Sequence, residues 1–393
     1  MGYFNVSSLA GNSVKVVHII IGLNVGGAEL MLKRVIESHS GYSDIQHIVI
    51  SLTNHGPLGR QLVNSGVSVH SLGISNLLNV PFAFVKLRKL LIQLQPDIVH
   101  TWMYHADLLG GLAAWSSGFS RILWNVRSTD ILKGGSKATI VVRKICAWLS
   151  GFLPLVIVCA ANASRKEHEA VGYASSKIVV IPNGFELDKA ITSGNTKSSI
   201  RDEFGIDKTC KIILSVGRFS EVKDHKNFIE AAGKISMLLE DVKFFLVGRD
   251  LTGDNEKLLS MIKATGNTDA FYLLGERDDI PKCMRESDVF CMHSKTEGFP
   301  NVLGEAMAAG LPCVTTDVGD AAYLLANPEW VVPPSLPDVL ADKLYQLLSL
   351  STREREDLGL SFVSRISENF TMRDVSQRYL DLYRSVFNSN STI

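Results

Sequence analysis

The sequence carries no surplus of either charge, no paired cysteines and no long unbroken apolar run, and each absence removes a class of function. Lys+Arg 40 against Asp+Glu 40 leaves a formal net charge of +0, so no global field draws the chain onto nucleic acid. The six cysteines, at 146, 159, 210, 283, 291 and 313, form no C-x-x-C pair and have no histidines at metal spacing. They read as reduced thiols of a cytoplasmic protein. The opening MGYFNVSSLAGNS is polar and lacks the basic start and apolar centre of a secretory signal. The longest apolar stretch, ICAWLSGFLPLVIVCAANA, is interrupted by Ser150, Gly151 and Pro154, which argues against a membrane span. No repeat period and no low-complexity tract is visible.

What is present is the composition of an ordinary folded protein, 46% hydrophobic and 20% charged over 393 residues, a length that favours two cores over one. Short apolar runs alternate with amphipathic stretches of helical length, the pattern of a parallel sheet covered by helices. In the first half the runs are VKVVHIII, HIVISL, VSVHSL, DIVHTW, RILWNV, LVIVCA and KIVVIP. The pattern lapses in the polar ELDKAITSGNTKSSIRDEFGIDKT, a linker by composition. It resumes with KIILSVGR, VKFFLVGR, AFYLLGE, DVFCMHS, PCVTTD and EWVVP. Two doubly wound α/β domains are therefore expected, over residues 1–190 and 191–370, with ligands at the carboxyl ends of their strands. Apolar residues at 375, 379, 380, 383 and 386 predict a helix in the last segment, 371–393, packing back toward the first domain.

One stretch, SKTEGFPNVLGEAMAAGLPCVTTDVGD, concentrates chemistry. Pro300 suits the first position of a helix, and apolar residues at 302, 303, 306 and 307 follow one helix face. Glu297 and Glu305 stand eight positions apart, so Glu297 belongs to the loop before the helix and Glu305 to its second turn. The helix start offers unpaired N–H groups and a positive dipole end, both suited to phosphate. Carboxylates on either flank cannot bind phosphate. They would accept hydrogen bonds from hydroxyls, or they would simply cap the helix and face solvent.

This stretch resembles the donor site of the retaining GT-B glycosyltransferases of glycosyltransferase family four. GLNVGGAE, IPNGF, SVGRFSEVKDHKNFIEAA, FFLVGRD and LLGERDDIP extend the likeness, in the family's order, over most of the chain. The resemblance implies a GT-B fold, two Rossmann-like domains facing a cleft, the first for the acceptor and the second for a nucleotide-sugar. It implies that Glu305 holds the donor ribose, that Glu297 holds a hydroxyl of the donated sugar, and that the backbone from Phe299 through Pro300 and Asn301 to Val302 meets the diphosphate. Arg218 and Lys223 would neutralise the departing diphosphate, with Lys226 a near competitor for Lys223. The loop of Arg277 would lie against the nucleotide base.

In GLNVGGAE, Gly26 and Gly27 let backbone approach a ligand where strand turns into helix. The spacing is not G-x-G-x-x-G, which argues against a nicotinamide enzyme. Glu29 reads as a first-turn acid. His100 and His105 flank a strand end, with His105 the better functional candidate and packed structural roles open for both. Where many members carry histidine after the next strand, this chain has Arg127, a cation for the donor sugar or an acidic acceptor that cannot act as a base near neutral pH.

The expected activity is a metal-independent, retaining transfer from a UDP- or GDP-sugar to a glycan or lipid-linked acceptor, in surface polysaccharide or glycolipid assembly, without a further cofactor. A sugar-nucleotide epimerase and a non-catalytic nucleotide-sugar binder are the alternatives. The stretch KGGSKATIVVRKICAWLSGFLPL mixes Lys133, Lys137, Arg143 and Lys144 with Trp148 and Phe152. It suits either the inner face of an anionic membrane, making the protein peripheral, or packing against its own sheet.

Overall fold

The computed structural model describes residues 13–127, 137–187 and 199–389. Every run named above that is rich in Val, Ile and Leu forms a strand, because β-branched and buried side chains pack on both faces of a parallel sheet. The first sheet comprises β1 (Val14–Ile20), β2 (Ile45–Ser51), β3 (Ser68–Ser71), β4 (Ile98–Trp102), β5 (Ile122–Val126), β6 (Val156–Cys159) and β7 (Ile178–Val180). The second comprises β8 (Lys211–Val216), β9 (Val242–Val247), β10 (Phe271–Gly275), β11 (Val289–Met292), β12 (Cys313–Thr316) and β13 (Val331–Val332). Their orders are β3-β2-β1-β4-β5-β6-β7 and β10-β9-β8-β11-β12-β13, and every pairing is parallel.

Strand order reverses between β1 and β4 in one sheet and between β8 and β11 in the other. Crevices open at such switch points, at the carboxyl ends of the strands. The loops that leave those four strands hold Gly26 and Gly27, Met103, Lys223 and Glu297.

The first sheet is covered by α1 (Gly27–Ser38), α2 (Gly56–Asn64), α3 (Val80–Leu94), α4 (Tyr104–Trp115), α5 (Lys137–Leu149) and α6 (Asn162–Val171). The second half carries α7 (Ile200–Glu203), α8 (His225–Leu238), α9 (Glu256–Lys263), α10 (Ile280–Arg285), α11 (Asn301–Ala308), α12 (Ala321–Leu325), α13 (Pro337–Ser349) and α14 (Thr352–Asn369), followed by α15 (Met372–Asn388). Of the expected linker, residues 188–198 lie outside the described residues, and α7 is fastened to the second sheet by Arg201 Nη2 to Asp288 Oδ2 at 3.1 Å.

Helix α15 follows the second-half helices in the chain but buries its apolar stripe in the first half. Val375, Tyr379, Leu380, Tyr383 and Val386 share one core with residues of β1, β4 and α1. The chain crosses where Phe185 pairs with Thr371, through Phe185 N–H to Phe370 O at 2.8 Å and Met372 N–H to Phe185 O at 2.9 Å. Phe185 also explains Gly304 in α11, because a Cβ there would fall inside the Phe185 ring.

Helix α5 revises the expected basic face. Lys137 and Lys144 are exposed, but Arg143 is 4% exposed and belongs to the interior, since its position falls on the stripe with Cys146 and Ala147. Lys133 lies outside the described residues.

Candidate functional site

Helix α11 begins at Asn301, with Pro300 as its cap residue at φ −80° and ψ 90°. Pro300 thus stands one place earlier than its helix preference suggests, and having no N–H it shapes the turn without donating to a ligand. Leu303, Ala306 and Met307 bury the helix, and Phe299 is wedged between Phe185 at 6.1 Å and Phe370 at 5.9 Å. The helix start is thereby fixed by apolar contacts.

The loop before α11 is tied down from two sides. Asp320 N–H donates to Gly298 O at 2.9 Å, and Lys295 N–H donates to Val222 O at 2.8 Å, which joins the glutamate loop to the Lys223 loop. Gly319, at φ 59°, lies so close to the backbone of Glu297 and Gly298 that a side chain could not fit there. The result is one carboxylate with two donors: Lys223 Nζ reaches Glu297 Oε1 at 2.5 Å and Ser294 Oγ reaches the same oxygen at 2.7 Å. Among the described residues Oε2 of Glu297 has no such tie.

The backbone of Lys223 is itself held by a histidine that sequence reading passed over. His293 is 4% exposed. Its Nδ1 lies 2.6 Å from Lys223 O and its Nε2 lies 2.6 Å from Ser215 Oγ. A carbonyl only accepts, so Nδ1 carries the proton and Nε2 accepts from the serine. Burial lowers this imidazole to about 4, keeping it neutral. Lys226, by contrast, points along α8 to Glu230 at 3.7 Å and lines an outer groove of about 670 Å³ with Met237 and Pro337. Of the two lysines, Lys223 is the one in contact with Glu297. Arg218, at the end of β8, is exposed and makes no ion pair or hydrogen bond among the described residues.

Glu305 faces the first half across the crevice. Arg34, on α1, approaches it at 3.6 Å. Its side chain keeps 39% of its area open, yet protein surrounds it closely enough that burial raises its pKa, an effect that Arg34 partly offsets.

Where the halves meet, a cavity of about 260 Å³ is lined by Gly27, Glu29, Met103, Arg127, Asn183, Phe299 and Asn301, among others. A directional chain of side chains crosses it. Arg127 Nη2 donates to Asn183 Oδ1, and Asn183 Nδ2 donates to Asn301 Oδ1. Because a guanidinium can only donate, both amide orientations follow. Asn301 Nδ2 is left on the Gly27 side, 3.5 Å from where a Cβ of Gly27 would be. Gly26 has a different reason to be glycine: the Glu29 carboxylate occupies the place of its Cβ. Glu29 is raised by burial, with a backbone hydrogen bond and Arg127 pulling the other way.

Met103 reaches the cavity with φ 74° and ψ 153°, a region that side chains other than glycine's rarely adopt and that collects at functional sites. His105 is exposed on the first turn of α4 and is not among the lining residues. His100 is fully buried, bonded through Nδ1 to Tyr383 Oη at 2.9 Å, a packed structural role. Arg277 is also apart from the cavity. Its guanidinium grips Asp279 at 2.7 and 2.8 Å and Glu203 at 2.8 and 3.1 Å. Bonds to those two carboxylates push Arg277 up and hold Asp279 below its usual range.

Asn183 in IPNGF and Glu29 in GGAE lie in motifs of the sequence but have no place in the expected site. Arg34 carries no local signal at all. Among the described residues no group of three or more His, Cys, Asp or Glu is placed to hold a metal ion.

Residues 25–189 match the family Glycosyltransferase Family 4, and residues 196–360 match Glycosyl transferases group 1. The UDP-Gal:alpha-D-GlcNAc-diphosphoundecaprenol alpha-1,3-galactosyltransferase of Escherichia coli is 29% identical over 76% of this chain and 79% of its own length. The N,N'-diacetylbacillosaminyl-diphospho-undecaprenol alpha-1,3-N-acetylgalactosaminyltransferase of Campylobacter jejuni is 27% identical over 78% and 82%. In fold, the crystal structure of Anabaena Alr3699/HepE in complex with UDP superposes with TM-score 0.81 at 20% identity, over 95% of this chain and 100% of that one. The lipopolysaccharide glycosyltransferase WaaG does so with TM-score 0.69 at 15% identity, over 94% and 99%. With one family spanning the first half and the other the second, on two doubly wound sheets, the chain belongs to the GT-B glycosyltransferases of family four and group one.

Proposed function

We propose that this glycosyltransferase moves a sugar from a UDP-sugar to a lipid-linked glycan acceptor, with retention of anomeric configuration and without a metal ion. The observation that supports the reading is the contact of Lys223 with Glu297 in the loop that leads into α11, together with the Arg127–Asn183–Asn301 chain that ends on the first residue of that helix. A pyrophosphate at the α11 start meets peptide dipoles and the cations of Lys223 and Arg218. The Glu297 oxygen left untied then accepts a hydroxyl of the donated sugar. Glu305 accepts the ribose hydroxyls, and Arg127 faces the sugar from the first half. In this arrangement the second Rossmann-like domain, 191–370, binds the nucleotide-sugar and the first, 1–190, receives the acceptor.

The bond between the anomeric carbon and the phosphate oxygen breaks, with its electron pair going to the diphosphate. The acceptor oxygen forms the new bond on the same face, and its proton passes to the departing phosphate. Donors aimed at developing negative charge are typically worth ~3 to 4 kcal/mol each, so two cations and a helix start account for much of the barrier. Two-lobed closure brings the partners together and keeps out water, whose attack would give hydrolysis.

The choice of UDP and of a lipid-linked acceptor is supported by what the two bacterial relatives and the Anabaena protein are named for or complexed with. A membrane surface fits the same acceptor: Val141 (55% exposed), Trp148 (74%) and Phe152 (58%) lie open on and just after α5, beside Lys137 and Lys144. No helix among the described residues is long and apolar enough to cross a membrane. In this reading the protein works as a peripheral protein on the cytoplasmic face, where its exposed α5 residues would meet the lipid-linked acceptor.

A thermal-shift panel of UDP-galactose, UDP-glucose, UDP-N-acetylglucosamine, UDP-N-acetylgalactosamine and GDP-mannose tests the reading. A UDP-sugar at 100 times its dissociation constant should stabilise the protein by ~2.7 kcal/mol. A response to GDP-mannose alone overturns the choice of uridine, and no response to any of the five overturns the donor site.

A further inference from the structure

We propose that Tyr379, on the C-terminal helix α15, is a positioning residue for Arg127, so that the helix crossing back from the second half is part of the active-site machinery. Arg127 follows the last residue of β5 and its guanidinium is held by four groups. Nη1 donates to Asn125 Oδ1 at 3.2 Å and to Tyr379 Oη at 3.3 Å, Nη2 donates to Asn183 Oδ1, and Cζ lies over the Trp102 ring, 5.5 Å from its centroid. Nε–H and the second Nη2 hydrogen make no bond among the described residues, which leaves two donors for a ligand in the cavity that Arg127 lines.

Tyr379 is the hub of this arrangement. Its oxygen also accepts from Asn125 Nδ2 at 3.0 Å. Asn125 must turn Oδ1 to Arg127, since arginine only donates, so its amide nitrogen is the group left to face Tyr379 and His100. The three groups close a ring of hydrogen bonds in which Tyr379 receives from both partners. The phenol cannot swing away: it is 0% exposed, and its ring stacks on Trp102 at 6.2 Å and 24°. An arginine side chain carries about 2 kcal/mol of rotamer entropy. Ordering it before substrate arrives removes that cost from binding and turnover.

A buried tyrosine on a helix that packs against a sheet ordinarily needs a partner for its hydroxyl, and Asn125 alone would satisfy it. Tyr383, one turn further along α15, is nearer that ordinary case: its hydroxyl pairs with His100, whose other nitrogen meets Asn125 Nδ2 at 3.4 Å, and it makes no bond to Arg127 among the described residues. The two tyrosines therefore separate packing from positioning.

The inference rests on the proposed reading of Arg127 as a group that touches the donor sugar. Its test uses the full chain and the UDP-sugar giving the largest thermal shift, with UDP release as the readout. The variants are Tyr379→Phe, Tyr383→Phe, Arg127→Lys and the Arg127→Lys/Tyr379→Phe pair. Tyr379→Phe should lower kcat about tenfold with KM changed less than threefold, while Tyr383→Phe, matched in melting temperature, keeps kcat within twofold. In the Arg127→Lys background Tyr379→Phe should cost less than a further twofold, because the group it positions is already gone. A full tenfold loss in that background, or equal kcat for the two phenylalanine variants, would overturn the role of Tyr379 while leaving the donor site intact. Unchanged turnover in Arg127→Lys would overturn the reading of Arg127 and this inference with it.

Discussion

Asp320 of the second half caps a helix of the first. Its Oδ2 accepts from Asn162 N at 2.6 Å and Asn162 Nδ2 at 3.1 Å, and its Oδ1 accepts from Ala163 N at 2.8 Å, all at the start of α6. The carboxylate is 4% exposed. A negative charge on a helix start is favoured by the orphan amides and the dipole together. Opening the crevice has to pull this cap off.

Asp320→Ala should therefore loosen the two halves. We expect a loss of about 1 kcal/mol of stability, the usual value of a cap, together with a larger radius of gyration by X-ray scattering in the donor-free protein. An unchanged scattering profile would show that the cap does not govern closure.

Lys223 and Glu305 should separate in kinetics. In the proposed site Lys223 faces the departing diphosphate, so Lys223→Ala should lower kcat by about 100-fold or more. In the same proposal Glu305 holds the ribose in ground and transition states alike, so Glu305→Ala should raise the donor KM about tenfold with little change in kcat. Steady-state rates over a donor titration distinguish the two patterns, and the same pattern in both variants would contradict the assignment.

Gly304→Ala should destabilise the protein although alanine is the better helix former. The methyl group would enter the Phe185 ring, and overpacking typically costs about 1–3 kcal/mol, more than the ~1 kcal/mol that the propensity returns. Phe185→Leu in the same chain should recover part of the loss. Denaturant midpoints measure both.

Stability should fall as pH drops below neutrality, for a reason visible in the first-half core. Trp102 Nε1 donates to His18 Nδ1 at 3.2 Å, and His18 Nε2 meets His47 Nδ1 at 2.9 Å. His47 Nε2 meets His39 Nδ1 at 3.0 Å, and His39 Nε2 meets Ser376 O on α15 at 2.9 Å. The indole can only donate and the carbonyl can only accept, so each histidine holds its proton on Nε2 and none can take a second without breaking a bond. Burial lowers His47 and His100 to about 3 and His18 and His39 below the usual 6.5. In the unfolded chain these groups bind protons near 6.5, so the unfolded state gains protons first as pH falls. The stabilisation is complete above about 6.5 and is lost on the way to 3, at ~1.4 kcal/mol per pH unit for each histidine titrating. Glu305 and Asp107, raised by burial, act in the opposite sense over the acid range. Melting temperatures from pH 7.5 to 5 should drop steeply, and less so in His47→Gln.

The sequence by itself determined the two parallel sheets, the α11 start between two glutamates, and the buried stripe of α15. Those features rest on periodicity, turn chemistry and caps, which act between residues a few positions apart. Only the tertiary structure decided that Lys223 and not Lys226 faces Glu297, that Arg277 is spent on Glu203 and Asp279, and that His105 stands apart from the cavity. It alone joined Arg127 to Tyr379 across 252 positions and Asn183 to Asn301 across 118. A polar pair between two domains needs only complementary donors and acceptors at the meeting point. Neither partner has to alter the local pattern of its own segment, so nothing near it in the chain records the contact.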